Sequence, residues 1–156
     1  GRRGDYLAMK LVEQILIRNK KREDIYKLLR KMQNFPSFMS YVKSVKIIKK
    51  IPDGFISAWN VFIDGVPVSW QEQDIFDNKN LSINFQMLNG DYLKYQVSWR
   101  LLDDLYGCKI ILSLDLDVGA SAFTRFPEVE KVLNRKIRKA FKGMLLAIKI
   151  KLIGKK

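Results

Sequence analysis

Histidine is absent from this sequence, and cysteine occurs once, as Cys108. The first absence excludes Ser-His-Asp and Cys-His nucleophilic machinery and any His-ligated metal site. The second excludes a thiolate-rich zinc site and any disulfide within the sequence, which fits a reducing, cytoplasmic setting. No run of apolar residues approaches the ~18 that a membrane-spanning helix needs. The first residues lack the apolar stretch of a secretory signal. Neither GxGxxG nor GxxxxGKS/T occurs, so there is no nucleotide-binding fingerprint, and no cofactor or metal is implied. Acidic residues are the minority, 16 against 29 lysines and arginines, which leaves a net charge of +13. Any chemistry must rest on carboxylates, arginine, tyrosine, amides and shape.

What is present fits one globular domain. A chain of 156 residues buries about 68–70 % of its unfolded surface. Residues 1–9 are polar and basic and are expected to form a flexible arm or a cloning remnant, with Met9 compatible with a native start. Residues 10–156 form the single domain. The positive charge has three readings: a solvated basic surface, peripheral contact with an anionic membrane, or association with RNA or a ribosome. The lysines are spread along the chain rather than gathered in one block, which favours the first. The sequence sets no oligomeric state.

The strongest periodic signal lies at residues 127–152, PEVEKVLNRKIRKAFKGMLLAIKIKL. Val129, Leu133, Ile137, Ala140, Phe141, Met144, Ile148 and Leu152 recur at three- and four-residue steps, the stripe of an amphipathic helix. Lys131, Arg135, Arg138, Lys139 and Lys142 lie off that stripe and are expected in water. Pro127 suits the first helical turn.

Upstream the pattern is one of strands. Residues 10–18 read as a first strand. Residues 23–32 read as a short helix, broken at Asn34-Phe35-Pro36-Ser37 because Pro36 pushes Phe35 out of helical geometry. Residues 37–42 read as a second short helix. Strands then follow at 43–51, 55–63, 66–76, 81–88, 92–102 and 108–118. Turn signals separate them: Pro52-Asp53-Gly54, where Gly54 can take positive φ, then Asp64-Gly65, residues 77–80 and Asn89-Gly90. Residues 119–126 are a loop into the closing helix. The expected fold is α+β, a seven-stranded curved antiparallel sheet wrapped around a long C-terminal helix, with two short helices after strand 1. Seven twisted strands curl, the helix lies in the curl, and any space left between them is an apolar pocket.

Four stretches carry a resemblance to a known family: FPSFMSYVKSVKII, SAWNVFIDGVPVSWQEQDIFD, GDYLKYQVSWRL and SLDLDVG. Together with the element order, over residues 10–152, the chain resembles the START-like (SRPBCC) superfamily, the helix-grip fold of polyketide cyclase/dehydrase and coenzyme Q-binding proteins. The resemblance implies binding or transport of a hydrophobic small molecule, such as a quinone, a lipid or a polyketide-like aromatic, in a cavity between sheet and helix. The alternative is a polyketide cyclase/dehydrase-type enzyme using the same cavity. A second alternative is ribosome or RNA association through the basic surface. In the family's cyclases the central strand turns Trp, Ser and Arg residues towards the cavity. The matching phase here is Pro67, Ser69, Gln71 and Gln73, with Gln73 in place of the arginine. A neutral amide stabilises an enolate less well than a fixed cation. A slip of one residue turns Trp70, Glu72 and Asp74 inward instead.

The candidate ligand-binding residues are Trp59, Ser69, Gln71 and Gln73 on the central strands, and Phe85, Met87, Tyr95 and Trp99 on the later ones. Phe141, Met144 and Ile148 supply a helix wall, and Phe35 and Phe38 mark the expected cavity entrance. For each of the large apolar residues, plain core packing competes with a pocket role. Glu72 and Asp74 are close carboxylates within one strand, suited to acid/base work. They are expected on the wet face, as are Asp115 and Asp117. No catalytic residue is assigned.

Overall fold

The computed structural model describes residues 2–3, 6–88, 93–119 and 127–154. The elements, in chain order, are β1 (Arg2–Arg3), β2 (Tyr6–Arg18), α1 (Arg22–Arg30), a 3₁₀ helix (Met32–Ser37), β3 (Val42–Ile51), β4 (Gly54–Ile63), β5 (Val66–Asp77), β6 (Ser82–Met87), β7 (Leu93–Asp104), β8 (Gly107–Gly119) and α2 (Pro127–Ile153). All strands pair antiparallel in one sheet of order β1-β2-β8-β7-β6-β5-β4-β3. β3 to β8 form a meander, each strand beside the next. Among the described residues the one long jump runs from β2 to β3, and α1 with the 3₁₀ helix spans it from one arm of the sheet to the other. α2 packs against β2 and β4, touching both arms. The expected helix-grip architecture is the observed one, with seven long strands and a two-residue eighth at the edge.

The core lies between the concave face of the sheet and the helices. Alternation along β8 buries Cys108, Ile110, Leu112, Leu114 and Leu116, while Asp115 and Asp117 stay exposed. On α2, Leu145 and Ile148 are fully buried, and Leu133, Ile137, Phe141, Met144 and Leu152 pack against the core. Leu145 joins the stripe although its position was not expected there. Arg138, expected in water, is half-buried and its Nη1 donates to Glu13 Oε2 at 2.6 Å, tying α2 to β2.

Four local expectations are corrected. The first strand begins at Tyr6, not residue 10. The alternation that buries Leu11 extends back to Met9, so residues 6–9 pair with 116–119 of β8, and the arm expected over 1–9 is strand in part. The helical turn expected after the Pro36 break is centred on it: the 3₁₀ helix contains Pro36, and residues 38–41 are a turn. Phe35 is buried there, and the tight, short 3₁₀ form accommodates the proline. In the β3–β4 turn it is Asp53, with φ +61°, that takes the left-handed conformation, not Gly54. Gly54 is required for another reason, since a Cβ there would collide with the Asp74 carbonyl oxygen across the strand pair. The Asn89-Gly90 turn, Tyr92 and the stretch 120–126 lie outside the described residues.

Candidate ligand-binding cavity

Helix α2 and the concave sheet do not fill the space between them. A cavity of about 440 Å³ remains, and nearly all of its wall is apolar. The strands contribute Val61, Val68, Val97 and Leu114, and α2 contributes Leu133, Ile137, Phe141 and Met144. Tyr41 closes one side, its hydroxyl donating to the Ala140 carbonyl at 2.7 Å. Burial raises the Tyr41 hydroxyl pKa well above its ordinary value, so it stays a proton donor. The cavity reaches the surface at the β4–β5 hairpin, where Val66 is both lining and exposed. Lys136 stands at this mouth and its ammonium pairs with Asp64. That contact holds the Asp64 carboxyl below its ordinary pKa.

The Asp64-Gly65 turn sets the register of the two central strands. Both residues have positive φ (+55° and +82°), the conformation of a tight two-residue hairpin. Ile63 therefore pairs with Val66, and each step away places Trp59 opposite Trp70 and Ser57 opposite Glu72. Directly paired residues share a face. Trp59 and Trp70 stack, with ring centroids 5.9 Å apart and planes at 7°. Tyr95 stands edge-on to Trp70 at 5.8 Å, and Phe85 contacts both Trp59 and Trp99. All three tryptophans line the cavity.

Within this aromatic wall sits a carboxylate. Glu72 is 1 % exposed, lines the cavity, and accepts on Oε1 a hydrogen bond from Trp70 Nε1 at 2.8 Å and a second from the Tyr95 hydroxyl. Asp74, behind it, is 0 % exposed and accepts on Oδ2 from Ser57 Oγ at 2.5 Å, and Ser57 Oγ accepts in turn from Trp59 Nε1 at 2.9 Å. Burial, then the hydrogen bond and the charge of Glu72, push the Asp74 carboxyl far above the carboxylate range. Asp74 therefore holds its proton to higher pH than an ordinary carboxyl. Burial first, and the Glu72 charge second, raise the Tyr95 hydroxyl as well. Glu72 Oε2, Asp74 Oδ1 and Trp99 Nε1 are buried without a hydrogen-bond partner among the described residues. A carboxyl that keeps its proton, close to a second carboxyl, is an arrangement from which proton transfer to a bound molecule can run.

The structure sorts the expected site residues into four groups. Trp59, Phe85, Met87, Tyr95, Trp99, Phe141 and Met144 meet at the cavity. Ile148 is buried core beyond its wall. Phe35 is core too, packed against Trp59 and Trp99 at 6.0 and 6.4 Å, so the entrance is not there. Phe38 lines a shallow outer groove with Gly143 and Ile150. Ser69, Gln71 and Gln73 lie on the outer face of β5, where Ser69 bonds Asn60. Their expected inward phase is therefore reversed, and Gln73 does not stand in for a cavity arginine. The inward phase is Val68, Trp70, Glu72 and Asp74, so the wet-face expectation for the two acids is reversed as well. The signal that could have found this is the hairpin. A two-residue turn at Asp64-Gly65 puts Trp59 and Trp70 on one face, so placing Trp59 inside places Trp70 and Glu72 inside too.

A curved antiparallel sheet gripping a C-terminal helix over an apolar hollow defines the START-like, helix-grip class. The chain belongs to the family described as polyketide cyclase / dehydrase and lipid transport, whose pattern matches residues 19–142. Solved structures share the fold across nearly the whole chain. The protein TTHA0849 from Thermus thermophilus superposes with a TM-score of 0.80 at 18 % identity, covering 95 % of this chain and 98 % of that one. The Zhui aromatase/cyclase from a Streptomyces species gives 0.77 at 12 %, covering 92 % of each chain. A START superfamily protein from Mycobacterium smegmatis gives 0.63 at 17 %, covering 94 % and 98 %. No curated protein matches the chain. Among the described residues, no helix is long and apolar enough to cross a membrane.

Proposed function

We propose that this protein binds a hydrophobic small molecule in the cavity between the sheet and α2. The carrying observation is the cavity itself: about 440 Å³, walled by apolar and aromatic side chains and open at the β4–β5 hairpin. An unfilled apolar space costs stability that a well-packed core would retain, about 24 cal/mol for each Å³ of void in measured series. A bound apolar molecule recovers that loss, and its class is the isoprenoid quinone, lipid or polyketide-like aromatic that the family resemblance implies. Organic extraction of the purified protein followed by mass spectrometry is expected to release such a molecule, and quinones or fatty acids are expected to quench the cavity tryptophans. A protein that carries no apolar molecule and takes up none on titration overturns the reading.

One observation favours a second reading, a cyclase or dehydratase. The cavity wall holds Glu72 and Tyr95, joined by a hydrogen bond, with the buried Asp74 carboxyl two residues along the strand from Glu72. Glu72 would take a proton from a methylene beside a ketone, and Tyr95 or Asp74 would supply one to the departing oxygen. Turnover of poly-β-ketone analogues that disappears in Glu72→Gln, with analogue binding retained, supports this reading. Wild-type protein that binds the analogues and never converts them excludes it.

A further inference from the structure

The solvent side of α2 is divided along its length. Lys131, Arg135, Lys139 and Lys142 are exposed, and so are Leu146, Ile150 and Ile153. These positions follow one another at steps of four and three, so they form a single stripe on the outer face of the helix. Its first half is cationic and its second half aliphatic. Leu146, Ile150 and Ile153 are 52, 56 and 46 % exposed. Three large aliphatics in register on a solvent face make a patch that marks an interaction surface. Beside it, Phe38, Gly143 and Ala147 line a shallow groove that extends the apolar surface past the helix. Lys151 stands at the rim, its ammonium 5.8 Å from the centre of the Phe38 ring. Among the described residues the ion pairs of α2 use Lys136 and Arg138, and none uses a cation of the stripe. In the sequence no acidic residue follows Glu130, while ten lysines and arginines do. Lys136, then Lys139 and Arg135, lower the Asp64 carboxyl, so the cationic half of the stripe adjoins the cavity mouth.

We propose that the outer face of α2 docks on an anionic lipid surface, with Leu146, Ile150 and Ile153 below the headgroups and the cations of the stripe against the phosphates. Charge excludes a second copy of the chain as the occupant. Parallel faces set cation on cation, and antiparallel faces set cations on aliphatics. An acidic protein needs its acids and its apolar residues in one fixed register along the stripe. A lipid surface presents negative charge above an apolar layer at every point, so no register is required. Among the described residues no helix is long and apolar enough to cross a membrane, so α2 lies on the surface. The stems of Lys149 and Lys151 flank the aliphatics, and a lysine stem carries its ammonium up to headgroup level while its neighbours sink. Docking by this face holds the cavity mouth near the lipid. The surface lies outside the cavity, so the inference stands apart from ligand uptake.

Co-sedimentation with phosphatidylcholine vesicles, with and without phosphatidylglycerol, tests this directly. The protein is expected to bind the anionic vesicles and to leave the neutral ones in solution. Each cation brought to an anionic surface raises affinity about fivefold, so Lys139→Gln with Lys142→Gln is expected to lose about tenfold or more. Lys46→Gln with Lys49→Gln removes the same charge from exposed positions on β3 and is expected to lose less than about threefold. Leu146→Gln with Ile150→Gln keeps every charge and is expected to lose at least about tenfold, the apolar burial given up. All these side chains are exposed, so the fold is retained, and the comparison of the two vesicle types needs no variant. Absence of binding to anionic vesicles overturns the proposal, as does equal binding to neutral ones. Equal losses from the α2 and β3 lysine pairs overturn it too, since overall charge would then suffice. Retention by polyglutamate without binding to vesicles replaces the lipid surface with an acidic protein.

Discussion

Two carboxylate pairs with the same spacing lie on opposite faces of one sheet. Glu72 and Asp74 on β5 are buried on the cavity side of the sheet, and Asp115 and Asp117 on β8 stand in water. Their cross-strand neighbours explain the difference. Asp115 is opposite Lys10, with 3.8 Å between ammonium and carboxylate, and Asp117 is opposite Lys94. Each exposed acid thus has a base in register. Glu72 is opposite Ser57 and Met87, and Asp74 is opposite Phe55 and Phe85. No base is in register there, so the buried pair is balanced by a retained proton and by neutral donors. A wet pair of this kind is a matter of solubility. A dry pair is costly, and proteins keep such groups where a ligand or a reaction uses them.

The largest way to test this contrast is pH. The folded state holds a proton on Asp74 that the unfolded chain releases near pH 3.9, because burial and Glu72 raise the folded value. Between the unfolded and folded values the native state binds more protons. Stability must therefore fall as pH rises through this window, by up to about 1.4 kcal/mol per pH unit. Urea denaturation from pH 5 to pH 8 is expected to show that slope, and Asp74→Asn, which cannot titrate, is expected to remove it. Parallel pH profiles for the two proteins would mean that Asp74 is ionised in the fold. Next in size is Ser57→Ala. It strips the acceptor from Trp59 Nε1 and the donor from Asp74 Oδ2, and an unsatisfied buried polar group costs about 1–3 kcal/mol. A thermal midpoint unchanged from wild type would show that water replaces the hydroxyl.

Glu72→Gln sharpens the contrast with the opposite sign. The new amide keeps an oxygen for Trp70 and Tyr95 and can never carry a charge in this buried setting. The variant is expected to be more stable than wild type by about 1 kcal/mol, at the low end of what removing buried charge yields. A gain in stability together with loss of ligand affinity or of turnover is the signature of a group retained for function. A loss of stability would show that the carboxylate is structural.

Most of the fold was legible because its signals are local. The α2 stripe, the alternation along β6 to β8 and the two-residue turn each specify an element within a few residues. The Phe35–Pro36 segment is not legible locally, because burial of Phe35 against Trp59 and Trp99 decides its geometry, and those partners lie on distant strands. The facing of β5 is hidden for a different reason. Its inner row contains two acids and its outer row contains Ser69, Gln71 and Gln73, so both rows look polar and the alternation carries no sign. Composition favours the acids outside, and only pairing with Trp59 through the hairpin reverses that preference. The cavity residues on β6, β7 and α2 were legible because apolar and polar rows alternate cleanly there. The acids were not, because a functional pair violates the rule that would have placed it.

The smallest effect is expected on the wet side, and it is what makes the comparison decisive. Asp115 and Lys10 have side chains 63 % and 85 % exposed. An exposed pair at this distance gains little Coulomb energy, loses side-chain freedom, and is screened by salt. Asp115→Asn is therefore expected to change unfolding free energy by less than about 0.5 kcal/mol, in either direction, and to leave the pH profile between 5 and 8 as in wild type. The same chemical change, acid to amide, two strands or more away on the dry face, is expected to alter the profile in Asp74→Asn and to raise stability in Glu72→Gln. If Asp115→Asn matched either of those effects, the buried setting of Glu72 and Asp74 would not be what distinguishes them. The cost assigned to the cavity carboxylate, and the function inferred from that cost, would then lose their physical basis.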